Sequence, residues 1–207
     1  MAERRSQAER RAATRSRVLD ATIDCLVERG YANTSTRDIA SRAGVTLGAL
    51  QHHFSGKADL MAAAVRTLAD GMADEFMTEA QSGGTSSERI AQLLDRVWAA
   101  HRGRLFTALL ELWVAARTDA ALRAAMNDVA ASQSARIGEA IVGAFPDFAA
   151  RPGFAEAVMI GLATLRGLAM SDAVGGLDPD ALWIIAKPEL LKGFDAMFGE
   201  ELKEAPL

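Results

Sequence analysis

The chain has 207 residues, 50% of them hydrophobic, and a formal net charge of −4. That much apolar material can bury a sizeable core, which excludes a largely disordered chain; the length allows one large domain or a small one joined to a medium one. The net charge hides a division: residues 1–57 carry ten Lys/Arg against six Asp/Glu, and the remainder carries 13 against 21, so a polyanion-binding front is joined to an acidic rear with another task.

Residues 1–12 are charged and lack an apolar period, so they read as a mobile arm able to extend the first helix. From Thr14 the pattern is helical, with Val18, Thr22, Cys25, Leu26 and Arg29 recurring on one face. Gly30 ends this helix as a C′ residue, and Tyr31 can pack back onto it. Ser35 and Asp38 have the spacing of a capping box, with Asp in place of the usual Glu or Gln. They start a short helix that turns Ile39, Ala40 and Ala43 inward and breaks at Gly44, where Val45 plugs the turn. Thr46 can cap a further helix running to about Phe54, with Leu50 and Phe54 inward. Helix, glycine turn and helix over residues 36–54 have the spacing of a helix-turn-helix.

A Ser55-Gly56 turn leads into a long amphipathic helix over residues 57–80. "QSGGTSSE" reads as a loop, with Ser86 or Ser87 able to cap the next helix. Further helices are predicted over 87–101, 103–117, 119–145, 152–174 and 179–198. Nothing reads as a sheet. The expectation is an all-α chain of about nine helices: a three-helix helix-turn-helix DNA-binding head over residues 1–56 with its basic arm, and a second helical domain over 57–207.

Cys25 is the only cysteine, so no intrachain disulfide can form, and its place on an apolar face reads as a buried thiol. No apolar signal core succeeds the N-terminal arginines, and no apolar run is long enough to span a bilayer. The expected protein is soluble and cytoplasmic, with no membrane partner.

The stretch from Arg17 to Val65 carries Gly30-Tyr31, Thr34, Ile39-Ala40, Ala43-Gly44-Val45, Phe54, Lys57 and Leu60 in order. This pattern resembles the N-terminal part of the tetracycline-repressor (TetR) family of bacterial transcription regulators. The resemblance covers about a quarter of the chain; the rear fits the family only in being helical. It implies a homodimer whose two recognition helices enter successive major grooves of double-stranded DNA at a pseudo-palindromic operator. It also assigns effector binding and dimerisation to the helical domain over 57–207, and implies a small-molecule effector there that disfavours the DNA-bound state, making the protein a repressor. The alternative is a helix-turn-helix activator or co-regulator without a small-molecule ligand.

The outward residues of the second helix are Thr46, Leu47, Ala49, Gln51, His52 and His53, and these together with Gly48 are assigned to DNA. Gly48 and Ala49 are small enough to let the backbone approach the duplex. Gln51 departs from the family pattern, which usually has a phosphate-contacting tyrosine there; glutamine can donate to a phosphate or read an adenine edge. Neighbouring histidines on a helix point about 100 degrees apart, so His52 and His53 do not suit one metal ion, and no metal site is expected. Thr36 and Arg37 can contact phosphate or only serve the cap. Lys57 opposes the helix dipole at its own N-terminus, for which a nearby phosphate is a reason. Arg4, Arg5, Arg10 and Arg11 can reach DNA or remain a solvated tail.

The resemblance implies an effector pocket for an apolar or aromatic molecule, with Trp98, His101, Phe106, Glu111, Trp113, Met126, Met159 and Met170 as its candidates. The same residues also read as plain core, and Glu111 as either a ligand to a cation or an outward carboxylate. The resemblance implies a dimer interface on the wide apolar faces from Phe154 to Leu168 and from Leu182 to Phe198; intramolecular core is the alternative. No nucleophile elbow, phosphate-binding glycine loop or zinc signature occurs, so neither an enzyme nor a cofactor is expected.

Overall fold

The computed structural model describes residues 7–79, 86–171, 173 and 175–198, with side chains described except at 72–79, 86 and 87. Among the described residues there are ten helices and no strand. They are α1 (Gln7–Arg29), α2 (Thr36–Ala43), α3 (Leu47–His53), α4 (Lys57–Glu79) and α5 (Ser86–His101). Then come α6 (Arg104–Ala116), α7 (Ala120–Ala144), α8 (Pro146–Ala149), α9 (Phe154–Ala169) and α10 (Pro179–Phe198). Two compact units result. The first takes residues up to Ala73 and Arg104–Ala135; the second takes Asp74–Gly103 and the residues from Arg136 on.

Three departures from the sequence reading have local causes. Gln7–Ala12 continue α1, so Arg10 and Arg11 are helical rather than part of a free arm; Arg4 and Arg5 lie outside the described residues. The "FPDF" break is a one-turn helix, α8, opened by Pro146 at its first position, where a missing N–H costs nothing. The helix expected to reach residue 174 stops at Ala169, where Met170 N–H donates to Arg166 and the Ser171 hydroxyl donates to the Leu168 carbonyl at 2.7 Å. The predicted loop after α4 falls largely outside the described residues.

The first unit is built on an aliphatic core. Val18, Cys25 and Leu26 of α1 meet Ile39 of α2, Leu50 of α3, and Leu60, Met61 and Val65 of α4, all of them buried. Ala108 and Leu112 of α6 and Leu122 and Met126 of α7 complete it. Fully burying one such side chain is worth about 1.5–3 kcal/mol, so packing carries this unit well past residue 56. Thr34 is buried without penalty because its hydroxyl reaches the carbonyls of Cys25 (3.1 Å) and Gly30 (2.8 Å). Arg29, assigned to the apolar stripe, is instead exposed and pairs with Asp38 at 3.8 Å.

The second unit packs rings. Phe145, Phe148, Phe154, Phe194 and Phe198 form one cluster, with Phe194 and Phe198 centroids 4.8 Å apart. Trp98 and Trp183 stack at 5.2 Å with planes 12° apart.

Candidate nucleic-acid interface

Each end of the helix pair that presents α3 is fixed by a local hydrogen bond. Ser35 and Asp38 form the reciprocal capping box of α2: Asp38 N–H donates to Ser35 Oγ at 3.2 Å, and Ser35 N–H donates to Asp38 Oδ2 at 3.0 Å. At the other end Gly44 is left-handed (φ 64°), and Val45 N–H returns to the Ala40 carbonyl at 3.0 Å. Thr46 then caps α3, its Oγ1 accepting from Ala49 N–H at 3.1 Å. That hydroxyl keeps its own proton as a donor. Ser55 N–H donates to Asp59 at 2.9 Å and closes the turn into α4.

With Leu50 and Phe54 buried, the opposite face of α3 is turned out. Thr46, Gly48, Gln51 and His52 are exposed, and Leu47, Ala49 and His53 are half-buried. Arg37 is exposed and Thr36 half-buried at the start of α2. No neighbour requires glycine at 48, because a Cβ built there meets nothing within 4 Å. The helical continuation of α1 brings Arg11 to this face, where its guanidinium donates to His52 Nε2 at 3.3 Å. That bond makes Nε2 the acceptor and leaves the proton of the neutral ring on Nδ1. Arg15 sits 5.7 Å above the Phe54 ring. Sequence reasoning did not pair α1 with α3; a helical phase extended back through Arg15 to Arg11 was the available signal. Burial, then the charges of Arg11, His52 and Arg15, hold His53 below the usual histidine range.

Not every cation of the basic front faces outward. Arg42 is held by Glu28 and, at 3.4 Å, by Asp24, while Arg104 of α6 also meets Asp24. Lys57, expected to meet a phosphate, also has an internal partner. Its ammonium donates to the Tyr31 carbonyl at 2.7 Å and lies 3.9 Å from the Tyr31 ring centroid. Burial lowers its pKa.

Tyr31 is the hub of this junction. Its N–H donates to Glu111 Oε2 at 3.1 Å and its hydroxyl donates to Asp119 Oδ2 at 2.7 Å. Burial, reinforced by Asp119, pushes the phenol up to about 12. Asp119 lies below the ordinary carboxylate range, chiefly because Leu122 N–H donates to it at 2.9 Å as α7 begins. Glu111 is half-buried and holds the backbone after α1 through the Tyr31 N–H.

The eight effector candidates divide between the units. Trp98, His101, Met159 and Met170 belong to the second, and Phe106, Glu111, Trp113 and Met126 to the first. Trp98 donates its indole N–H to Asp180 at 2.9 Å. His101 Nδ1–H donates to the Val97 carbonyl at 2.8 Å, and burial lowers its pKa. Met159 is 70% exposed and Met170 37%, so each stands at the unit's surface rather than in an enclosed lining. Phe106 meets Trp113 edge to face at 6.3 Å, and Trp113 and Met126 line one cavity. Among the described residues no group of three His, Cys, Asp or Glu is arranged for a metal ion, and no helix is long and apolar enough to cross a membrane.

Residues 18–64 match the model for "Bacterial regulatory proteins, tetR family". An uncharacterised HTH-type transcriptional regulator of Mycobacterium tuberculosis is 35% identical over 136 residues, which cover 66% of this chain and 70% of the relative. A transcriptional regulator from Rhodococcus sp. Rha1 superposes with a TM-score of 0.64 at 27% identity, covering 93% of this chain and 98% of the other. The multidrug binding protein EbrR complexed with imidazole superposes with a TM-score of 0.59 at 25% identity, covering 86% of this chain and 93% of the other.

Proposed function

The chain belongs to the tetR family of bacterial regulatory proteins, helix-turn-helix transcription regulators, and from that premise we propose that it is a dimeric repressor released from a palindromic operator by a small molecule. The observation that carries the DNA half is the outward face of α3: Gln51 and His52 exposed beside an unobstructed Gly48, with Arg11 and Arg37 on neighbouring helices. In this reading α3 lies in the major groove. Gln51 contacts an adenine edge or a phosphate, and Leu47, Gly48 and Ala49 allow close approach. His52, His53 and Thr46 contact the phosphates or bases beside them, and Thr36, Arg37 and Arg11 contact the backbone. Lys57 acts by fixing the Tyr31 turn.

The dimer reading is supported by the second unit. Met159 and Ile160 of α9 and Ile184 and Ile185 of α10 are between 65% and 74% exposed. Pairing α9 and α10 with their symmetry mates covers these residues in a two-fold interface; on a palindromic operator the two α3 helices then enter successive major grooves about one turn of DNA apart, roughly 34–36 Å. Small-molecule response is supported by EbrR, a similar chain complexed with imidazole. A ligand acts only through different affinities for the DNA-bound and released states. A regulator of this kind works in the cytoplasm.

The test is selection of a random duplex library on the purified chain, followed by affinity measurements at two salt concentrations. The expected result is a palindromic consensus with affinity falling steeply as salt rises, through counterion release. Sequence-blind, weak binding would overturn the reading.

A further inference from the structure

The turn joining α6 to α7 borders a cavity of about 220 Å³. Trp113, Ala116 and Arg117 line it from α6 and its C-terminal edge, and Arg123, Met126 and Asn127 line it from α7. The indole of Trp113 is 36% exposed, yet its ring is fixed at one edge by Phe106 at 6.3 Å. Met126 is buried and supplies a polarisable floor. Arg117 and Arg123 are exposed at the mouth, in a part of the chain where acids outnumber bases.

An apolar, aromatic-walled space with two guanidinium groups at its rim favours a molecule with a flat apolar body and an anionic end. Guanidinium binds a carboxylate through paired N–H groups and also stacks on aromatic faces. The volume falls below the range of about 300–1,000 Å³ of drug-sized sites, so one ring fills it. We propose that this cavity binds a single-ring aromatic carboxylate: the ring against Trp113 and Met126, the carboxylate between Arg117 and Arg123, and the Asn127 amide as a further donor.

Occupancy has a route to the DNA-binding head. The two walls meet at Asp119, whose Oδ1 accepts from Leu122 N–H and whose Oδ2 accepts from the Tyr31 hydroxyl at 2.7 Å. Tyr31 is tied in turn to Glu111 and Lys57. A ring wedged between α6 and α7 changes the angle of the hairpin that carries Asp119 and Glu111, and so the seat of the turn between α1 and α2. This consequence rests on the ligand-responsive reading; the binding site itself does not.

The experiment is a ¹H–¹⁵N titration of the full chain with phenylacetate and with phenylacetamide, reading the three tryptophan indole signals. Trp113 is assigned from Trp113→Phe, and Trp98 and Trp183 report that the fold persists. The expected result is a saturable shift of the Trp113 signal, with phenylacetate binding at least tenfold tighter than the amide and at least tenfold weaker in Arg117→Gln/Arg123→Gln. Equal binding of acid and amide, binding unchanged in the double variant, or no Trp113 shift would overturn the site. Operator affinity unchanged at saturating phenylacetate would overturn the route to the head. Failure of the chain to select any duplex would end the regulator reading and leave the indole result standing.

Discussion

The two compact units solve the burial problem differently. In the first, the apolar stripes of α1, α2, α3 and α4 converge on one aliphatic core, and the fully exposed positions at and after the Thr46 cap of α3 are small or polar. In the second, the phenylalanine cluster and the Trp98–Trp183 stack are enclosed, but α9 and α10 still present Met159, Ile160, Ile184, Ile185 and Met197 to solvent. Adjacent apolar residues exposed at this level mark an interaction surface rather than a finished exterior. On the proposed reading, the apolar face of α9 and α10 is completed by another copy, while the exposed face of α3 is left for DNA.

The sharpest way to break this comparison is charge on the unfinished face. Ile184→Asp/Ile185→Asp is expected to leave folding intact and to convert a dimer into a monomer of 22.0 kDa, read by light scattering. Operator affinity is expected to drop about 100-fold or more, because interface hot spots are worth at least ~2 kcal/mol each and two heads bind together. A variant that stays dimeric sinks the assignment of this face.

The finished surface should respond without any change of assembly. Gln51→Ala is expected to cost about 1–3 kcal/mol of operator binding and to relax specificity at one base position. The melting temperature and the dimer should be unchanged. Equal affinity for all variant operators would assign Gln51 to phosphate instead.

Two glycines of the first unit separate folding from binding. Gly30 has φ 72°, and a Cβ there would stand 2.7 Å from Glu111 Oε2. Gly30→Ala is expected to destabilise the fold by about 1–2 kcal/mol in urea unfolding, through the left-handed backbone alone, with the clash in addition. Glu111→Ala should relieve only the clash. Gly48→Ala is expected to do the reverse: the free fold gains about 0.5–1 kcal/mol, because helix interiors disfavour glycine, while operator affinity falls. Unchanged operator affinity would remove close approach as the reason for Gly48.

The smallest effects are titrations. His53 lies below 6.5 in the free protein, and a DNA phosphate would raise it in the complex. The added affinity is full below the free pKa and is lost as pH rises through the complex pKa, so binding should tighten several-fold from pH 8 to below 6.5. A flat anisotropy profile would release His53 from phosphate contact. Tyr31 is the only tyrosine, so its ultraviolet titration reports the junction directly, with a midpoint near pH 12. Its contribution to stability is complete below pH about 10 and disappears as pH rises through that midpoint. Asp119→Asn should move the midpoint down but leave it above 10, because burial is the larger cause.

The sequence by itself determined the elements of the head. Ser35 with Asp38, Gly30, Gly44 and Thr46 are signals read within a few residues, and every one appears as the cap it implied. Helical periodicity likewise placed Leu50 and Phe54 inward and so settled which face of α3 looks out. What only the tertiary structure decided was the partner of each charged or aromatic side chain. Lys57 on the Tyr31 carbonyl, Glu111 on the Tyr31 N–H and Trp98 on Asp180 join residues 26, 80 and 82 positions apart. Periodicity fixes the direction in which a side chain leaves its helix. It carries no information about which distant helix stands there, and that is set by the packing of the whole unit.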